Sequence, residues 1–83
     1  MIRLKRELNG KLTTVYVGSL ELYFSYETIV GFKRWSDEPV LSENIWSNTT
    51  GKHLNQISDD KERRVPHKEF EKMLADVVED AGL

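Results

Sequence analysis

The segment LKRELNGKLTTVYVGSLELYF, residues 4–24, decides the fold, because it alternates hydrophobic and polar residues around two turn sequences. Such alternation is typical of a β-strand with one buried face. Asn9-Gly10 suits a type I′ hairpin turn and Gly18-Ser19 suits a type II′ turn, since glycine adopts a positive φ without steric cost. The segment therefore predicts three antiparallel strands joined by two tight turns.

The two turns also predict which residues of the strands lie opposite each other. The predicted pairs are Leu8 with Lys11, Arg6 with Thr13, Leu4 with Val15 and Ile2 with Val17, followed by Val17 with Leu20, Val15 with Leu22 and Thr13 with Phe24. Because opposed residues share a face of the sheet, the hydrophobic side chains of all three strands are expected on one face. The other face is expected to present Tyr16 and Tyr23 to solvent.

Two further strands are predicted after the meander. YETIVGFKRW, residues 26–35, is expected to form a fourth strand with Val30 and Phe32 on one side and Ile29 and Trp35 on the other. SDEP then forms a turn, because Pro39 is excluded from central ladder positions. VLSEN predicts a short fifth strand, so the sheet is expected to span residues 2–44.

Two helices complete the predicted fold. TTGKHLNQI predicts a short helix over residues 50–57 with a threonine as its N-cap. The last segment predicts a helix over residues 66–81, in which Pro66 suits the first turn and Gly82 the C-terminal cap. Its hydrophobic residues follow the 3.6-residue period and form one stripe. The predicted fold class is α+β, a single domain over residues 1–83: an antiparallel β-meander of four to five strands packed on one face by the C-terminal helix, with the short additional helix.

Composition narrows the classes of function. The chain has 83 residues, no cysteine and a formal net charge of −2. The absence of cysteine excludes disulfides and thiolate chemistry, and no hydrophobic run has the length that spans a bilayer. We therefore expect a cytoplasmic protein inside a host cell, with no membrane partner. A general nucleic-acid binder usually carries a broad positive excess, so a basic surface on this chain must be local.

The run WSNTTGKHLN, residues 46–55, holds the residues best suited to binding chemistry. It lacks the first glycine of a phosphate-binding G-x-x-x-x-G-K-[ST] loop, and His53 stands at the hydroxyl position, which argues against nucleotide hydrolysis. A helix N-terminus beside Lys52 can still hold an anion, whereas the alternative is ordinary capping, which nearly every helix needs. If the polar connector SDDKERR, residues 58–64, folds back, it would bring Arg63 and Arg64 to this run; a scattered solvated surface is the alternative. The candidate residues are Thr50, Lys52, His53, Asn55, Arg63 and Arg64.

Catalysis is not expected from this sequence. His53 and His67 lack the partner spacing of a metal site, and the serines lack the motif that surrounds a nucleophile. Carboxylates lie on turns and helix surfaces, so no acid–base pair can be argued. We predict no catalytic residue, no metal and no cofactor; a small hydrolase built on His53 is a remote third class.

The stretches YFSYETIVGF (23–32), SENIWSNTTGKHLN (42–55) and RRVPHKEFEKML (63–74) together resemble a family of small uncharacterised proteins that recur in bacteriophages, archaeal viruses and their hosts. The likeness covers roughly residues 13–80, and the W-S-x-T-T-G-K-H-L-N run is its most specific part. Ile29 stands where the family often has proline, and Pro66 where it often has a serine helix cap. The resemblance implies a viral or mobile-element setting. It brings no activity, cofactor or catalytic residue.

Two functions follow as hypotheses from different classes. The first is a non-enzymatic accessory module of phage type that contacts a host or viral protein or associates with itself, using an aromatic surface of Tyr16, Tyr23 and Trp35. The alternative is a small nucleic-acid- or phosphate-binding protein that uses the TTGKH run with Arg63 and Arg64. Convergence of Lys52 and the two arginines on a concave surface favours the alternative, and a flat aromatic patch favours protein contact.

Overall fold

The structure of the chain is a computed structural model, which describes the backbone of residues 4–9 and the whole of residues 11–34 and 37–82. Within these ranges the chain forms one antiparallel sheet, in which the strands lie side by side in sequence order. The predicted α+β class is confirmed. The elements are β1 Leu4–Asn9, β2 Leu12–Val17, β3 Leu20–Ser25, β4 Thr28–Arg34, β5 Val40–Leu41, α1 Asn48–Ile57, a 3₁₀ helix Lys61–Arg63 and α2 His67–Asp80.

The hairpin between β2 and β3 has the predicted register. Val17 lies opposite Leu20, and Val15 lies opposite Leu22. Gly18 has a φ of 60°, the left-handed conformation that glycine adopts without steric cost. The turn sequence alone thus placed two strands correctly.

The predicted register between β1 and β2 is wrong by two residues. Leu4 lies opposite Val17 rather than Val15, and Leu8 lies opposite Thr13 rather than Lys11. A slip of two residues leaves every residue on its original face, because side chains alternate with a period of two. The hydrophobic pattern therefore could not distinguish the two registers, and the turn signal by itself was insufficient.

The predicted faces of β4 also need correction. Leu22 lies opposite Phe32, but Phe24 lies opposite Ile29, so a bulge interrupts the ladder and Val30 is the additional residue. An additional residue reverses the alternation beyond it. Ile29 and Phe32 consequently pack in the same core, whereas Val30 faces the opposite side of the sheet.

The first core lies between the sheet and α2, as predicted. Phe70 and Val77 of α2 are buried against Leu22 and Phe32, and the rings of Phe32 and Phe70 lie 5.8 Å apart. Gly82 follows the helix with a φ of 77°, and its amide donates to the Glu79 carbonyl. This confirms the C-terminal cap that the sequence predicted.

The second core lies on the opposite face of the sheet, under α1. Val30 and Leu54 are completely buried there, together with Tyr23 and Leu41. Trp46 is partly buried and packs against this cluster. Both faces of the sheet are thus covered by a helix, whereas the sequence predicted a covering on one face.

Gly31 permits the close packing of β4 in the second core. A Cβ on this residue would overlap the Leu41 side chain and lie 3.1 Å from the Val40 carbonyl oxygen and 3.2 Å from the Tyr23 ring. No larger residue fits between these groups without displacing them.

The connections fix the ends of both helices. Helix α1 begins at Asn48 rather than at residue 50, because Ser47 provides the cap. Helix α2 begins at His67 and is preceded by Pro66. Val65 forms a parallel bridge with Ser42, which holds the end of the connector beside β5.

Candidate functional site

The beginning of α1 is capped by Ser47. Its hydroxyl accepts a hydrogen bond from the Thr50 amide at 3.2 Å, which satisfies one of the amide groups that a helix start leaves unpaired. The prediction of a threonine cap was therefore wrong, because the extended cap residue is Ser47 and the helix has already begun at Asn48, one residue before the first threonine. The Asn44 amide group donates to the Ser47 carbonyl at 2.8 Å and accepts from the Trp46 amide at 3.0 Å, which holds the cap in place.

The inner face of α1 carries a buried polar network. The Ser25 hydroxyl of β3 lies 3.1 Å from the Thr50 hydroxyl and 2.7 Å from Nδ1 of His53, and all three side chains are buried. The Ser47 hydroxyl donates to that of Thr50 at 3.4 Å, so a chain of hydrogen bonds links the cap to His53. Thr50 and His53 thus bind α1 to the sheet and are not presented to a ligand, which corrects their placement among candidate binding residues.

The outer face of α1 borders an open groove of about 490 Å³. Lys52 and Asn55 project from the helix, and Lys61 and Arg64 of the connector form the facing wall. Residues 48, 52 and 55 share this face because positions three or four apart in a helix are neighbours. The complete lining in the described part of the chain is Asn44, Asn48, Gly51, Lys52, Asn55, Lys61 and Arg64.

The charge of this groove is uniform. Three cationic side chains line it, and no acidic side chain is among the lining residues that the structure describes. The connector does carry Asp59, Asp60 and Glu62, which are exposed but do not belong to the lining. A basic groove therefore exists on a chain whose net charge is −2.

Arg64 is held in a defined orientation. Its terminal nitrogen donates to the Asn55 side-chain oxygen at 2.7 Å and to the Ser58 carbonyl at 3.4 Å. Its Nε is shielded from solvent and has no hydrogen-bond partner among the described residues. Arg64 also lines a much smaller cavity of about 20 Å³ beside Leu41. The hydrogen bonds to Asn55 and Ser58 thus hold the guanidinium group against the end of α1.

Arg63 does not join this groove. It forms an ion pair with Glu38 and lies on the exposed surface. The predicted cluster of Lys52, His53, Arg63 and Arg64 is therefore brought together only in part: Lys52 and Arg64 converge, His53 is buried, and Arg63 points elsewhere.

The predicted aromatic surface is absent at Tyr23. Its side chain is only 8% exposed and belongs to the second core, because α1 covers the face on which it lies. Burial and then the nearby charge of Glu21 raise the pKa of Tyr23 from 10.0 to about 12. Tyr16 is half-buried, and Trp35 lies outside the described residues.

A second histidine, His67, links the residue that follows β5 to α2. Nδ1 of His67 lies 3.1 Å from the Ser42 hydroxyl, and Nε2 lies 2.6 Å from the Glu71 carboxylate. A serine, a histidine and a carboxylate in contact resemble a hydrolytic triad, but Ser42 has no solvent exposure and its hydroxyl donates to the Glu43 carbonyl. A nucleophile must reach its substrate, so this cluster fits a structural contact between β5 and α2.

Apart from Gly51, which belongs to the TTGKH run, three lining residues of the groove were missed by sequence reasoning. Lys61 precedes Arg64 by three positions, which was a usable signal, because the 3₁₀ helix brings such positions to one side. Asn44 and Asn48 flank the cap and carried no separate signal. No group of three histidine or acidic side chains in the described ranges is arranged to hold a metal ion. No helix in the part of the chain that the structure describes has the length and hydropathy needed to cross a bilayer.

A family model matches residues 4–72, which include the whole sheet, α1 and the first residues of α2. The chain belongs to a family of unknown function, DUF8033. This agrees with the resemblance to uncharacterised proteins. No curated protein and no solved structure was found to be similar to the chain.

Proposed function

We propose that this DUF8033 protein is a non-enzymatic nucleic-acid- or phosphate-binding protein that uses the groove beside α1. The observation that carries the proposal is the convergence of Lys52, Lys61 and Arg64 around one open concavity without an acidic lining residue in the described ranges. Phosphate contacts from lysine and arginine supply most of the affinity in sequence-independent nucleic-acid binding. The groove also contains the Lys52 and Asn55 positions of the TTGKHLN run, which the sequence had marked for binding.

The accessory protein-contact function is the second candidate, now on a different surface. This function was first predicted from an aromatic surface that included Tyr23, but Tyr23 is buried and cannot contribute to such a surface. One observation still favours it: Tyr26 is 52% exposed beside a shallow concavity of about 290 Å³ that Val15 and Phe24 line. Tyr26 has a φ of 59°, a conformation that costs a non-glycine residue about 1–3 kcal/mol and often marks a functional position. We assign this surface to contact between two copies of the chain.

The biological setting belongs to the same proposal. The likeness of the Trp46-to-Asn55 run to proteins of bacteriophages and archaeal viruses supports a viral or mobile-element origin. We also propose that the protein acts in the cytoplasm of a host cell, where nucleic acid is accessible.

Fluorescence anisotropy with a labelled single-stranded oligonucleotide tests the main proposal. If three cations neutralise phosphates, the logarithm of the association constant should fall with the logarithm of salt concentration with a slope of about −2. The double variant Lys52→Glu/Arg64→Glu should abolish this binding at low salt. Arg63→Glu is the control for the Arg64 substitution, because it replaces the neighbouring arginine by the same residue but outside the groove, and it should leave binding within about twofold of wild type.

Two results would contradict the main proposal. One is the absence of anisotropy change at low salt, and the other is equal loss of binding in the Arg63→Glu control. Light scattering over a range of concentrations tests the second candidate. A dimer that dissociates in the Tyr26→Ser variant supports it, and a monomer at every concentration excludes it.

A further inference from the structure

The side chains of the groove offer hydrogen-bond donors almost exclusively. Lysine and arginine have no acceptor atom, so Lys52, Lys61 and Arg64 can only donate. The Asn44 amide uses both its nitrogen and its oxygen within the chain. What remains for a ligand is a set of cationic donors and the amides of Asn48 and Asn55.

Asn55 is also restricted to donation. Its oxygen accepts from Arg64 at 2.7 Å, and this orientation is required because a guanidinium group can only donate. The Asn55 NH₂ group therefore faces away from Arg64 and is available to a ligand. Arg64 thus converts a neutral side chain with two kinds of polar atom into a donor.

A surface that offers mainly cationic donors suits some groups of a nucleic acid better than others. Phosphate oxygens accept hydrogen bonds and carry the negative charge. Adenine and cytosine present amino donors at their base edges, which need acceptors on the protein. Bases also present acceptor atoms at their edges, but these atoms carry no net charge, whereas a phosphate attracts all three cations of the groove.

We propose that the groove recognises phosphate oxygens of the nucleic-acid backbone rather than bases, so that binding is independent of sequence. This inference rests on the proposed function and specifies its ligand. We assign the Asn55 NH₂ group as a hydrogen-bond donor to the nucleic-acid backbone, and the hydrogen bond from Arg64 orients this group. Free phosphate, polyphosphate and a nucleic acid share the recognised group, and the experiment separates these sources.

The experiment compares equal-length single-stranded oligonucleotides of thymine, adenine, cytosine and a guanine-containing sequence with the wild-type chain at one low salt concentration. All four should bind with dissociation constants that differ by less than about tenfold, which is the discrimination that a single good base contact provides. A thymine oligonucleotide with an uncharged methylphosphonate backbone should lose binding. Inorganic polyphosphate should compete, whereas inorganic phosphate should compete only weakly, because one phosphate engages fewer cations than a chain.

Variants test the assignment of Asn55 separately. Asn55→Asp replaces the donor with a carboxylate that neutralises Arg64, and it should weaken binding at low salt by at least about tenfold. Thr49→Asp is the matched control, because it introduces the same charge on the same helix at an exposed position that does not line the groove. Circular dichroism checks that both variants keep the wild-type fold.

The outcomes distinguish the inference from the function on which it rests. If charged oligonucleotides bind but the methylphosphonate binds equally well, or one base is preferred by more than about tenfold, recognition of the backbone is wrong while nucleic-acid binding stands. Equal effects of Asn55→Asp and Thr49→Asp would remove the role of Asn55. If no oligonucleotide binds, both the inference and the proposed function are wrong.

Discussion

Replacing Ser25 with alanine should weaken the attachment of α1 to the sheet. The Ser25 hydroxyl is 2% exposed and contacts both the Thr50 hydroxyl and Nδ1 of His53. Ser25→Ala leaves the buried His53 nitrogen without this partner, which costs about 1–3 kcal/mol, and it removes one neutral hydrogen bond worth about 1 kcal/mol. We therefore expect a loss of about 2–4 kcal/mol from the free energy of unfolding. A chain of this size has about 4–12 kcal/mol in total.

Urea denaturation followed by circular dichroism measures this loss. The transition midpoint should fall by about 1–2 M with an unchanged slope. Ser19→Ala is the control: it changes the same residue type at an exposed turn position and should alter stability by less than about 0.5 kcal/mol. The double variant Ser25→Ala/Thr50→Val should lose less than the sum of the single variants, because the two hydroxyls contact each other.

Hydrogen exchange locates the effect of Ser25→Ala. The amides of α1 should exchange faster than in the wild type, whereas those of α2, which packs on the other face, should change less. A loss of stability smaller than about 0.5 kcal/mol, or equal acceleration in both helices, would refute the account of the network as the attachment of α1.

Three other changes address the second core, the cap and alkaline pH. Gly31→Ala places a Cβ inside the Leu41 side chain and should cost about 1–3 kcal/mol in thermal unfolding; an unchanged melting temperature would contradict the close packing. Ser47→Ala should lower the free energy of unfolding by about 1 kcal/mol, and Thr49→Ala should lower it by less than about 0.5 kcal/mol. A larger loss for Thr49→Ala in the same thermal unfolding experiment would show that a threonine caps the helix. Because the pKa of Tyr23 is raised from 10.0 to about 12, stability should be complete below pH 10 and fall as the pH rises to 12. Tyr23→Phe should lack that fall, and identical alkaline profiles of the two proteins would show that Tyr23 is not responsible.

Local turn chemistry explains which parts of the fold could be predicted. Gly18-Ser19 placed β2 against β3 correctly because the chain reverses at the predicted turn, with Val17 opposite Leu20. The first hairpin failed at the same task, since a shift of two residues satisfies the hydrophobic pattern equally well. The bulge at Val30 left no signal in a pattern of period two. Its effect appeared only when the ladder with β3 was formed.

The location of α1 explains why the site was predicted only in part. TTGKHLNQI predicted a short helix, but the sequence did not indicate which face of the sheet it covers. Once α1 covers Tyr23 and Val30, its helical period directs Thr50 and His53 inward. The same period directs Lys52 and Asn55 outward, toward residues of the connector. Tertiary packing therefore divided one sequence motif into a structural half and a half that faces the groove.

The bulge in β4 makes the length of this strand a determinant of the fold. With the additional residue, Ile29 and Phe32 contribute to one core and Val30 to the other. Deleting Val30 would make the ladder regular with Ile29 still opposite Phe24, but it would remove from the second core the completely buried side chain that β4 contributes. Relatives of this protein should therefore differ in length in the connection near Pro39 and keep the residue count of β4 constant.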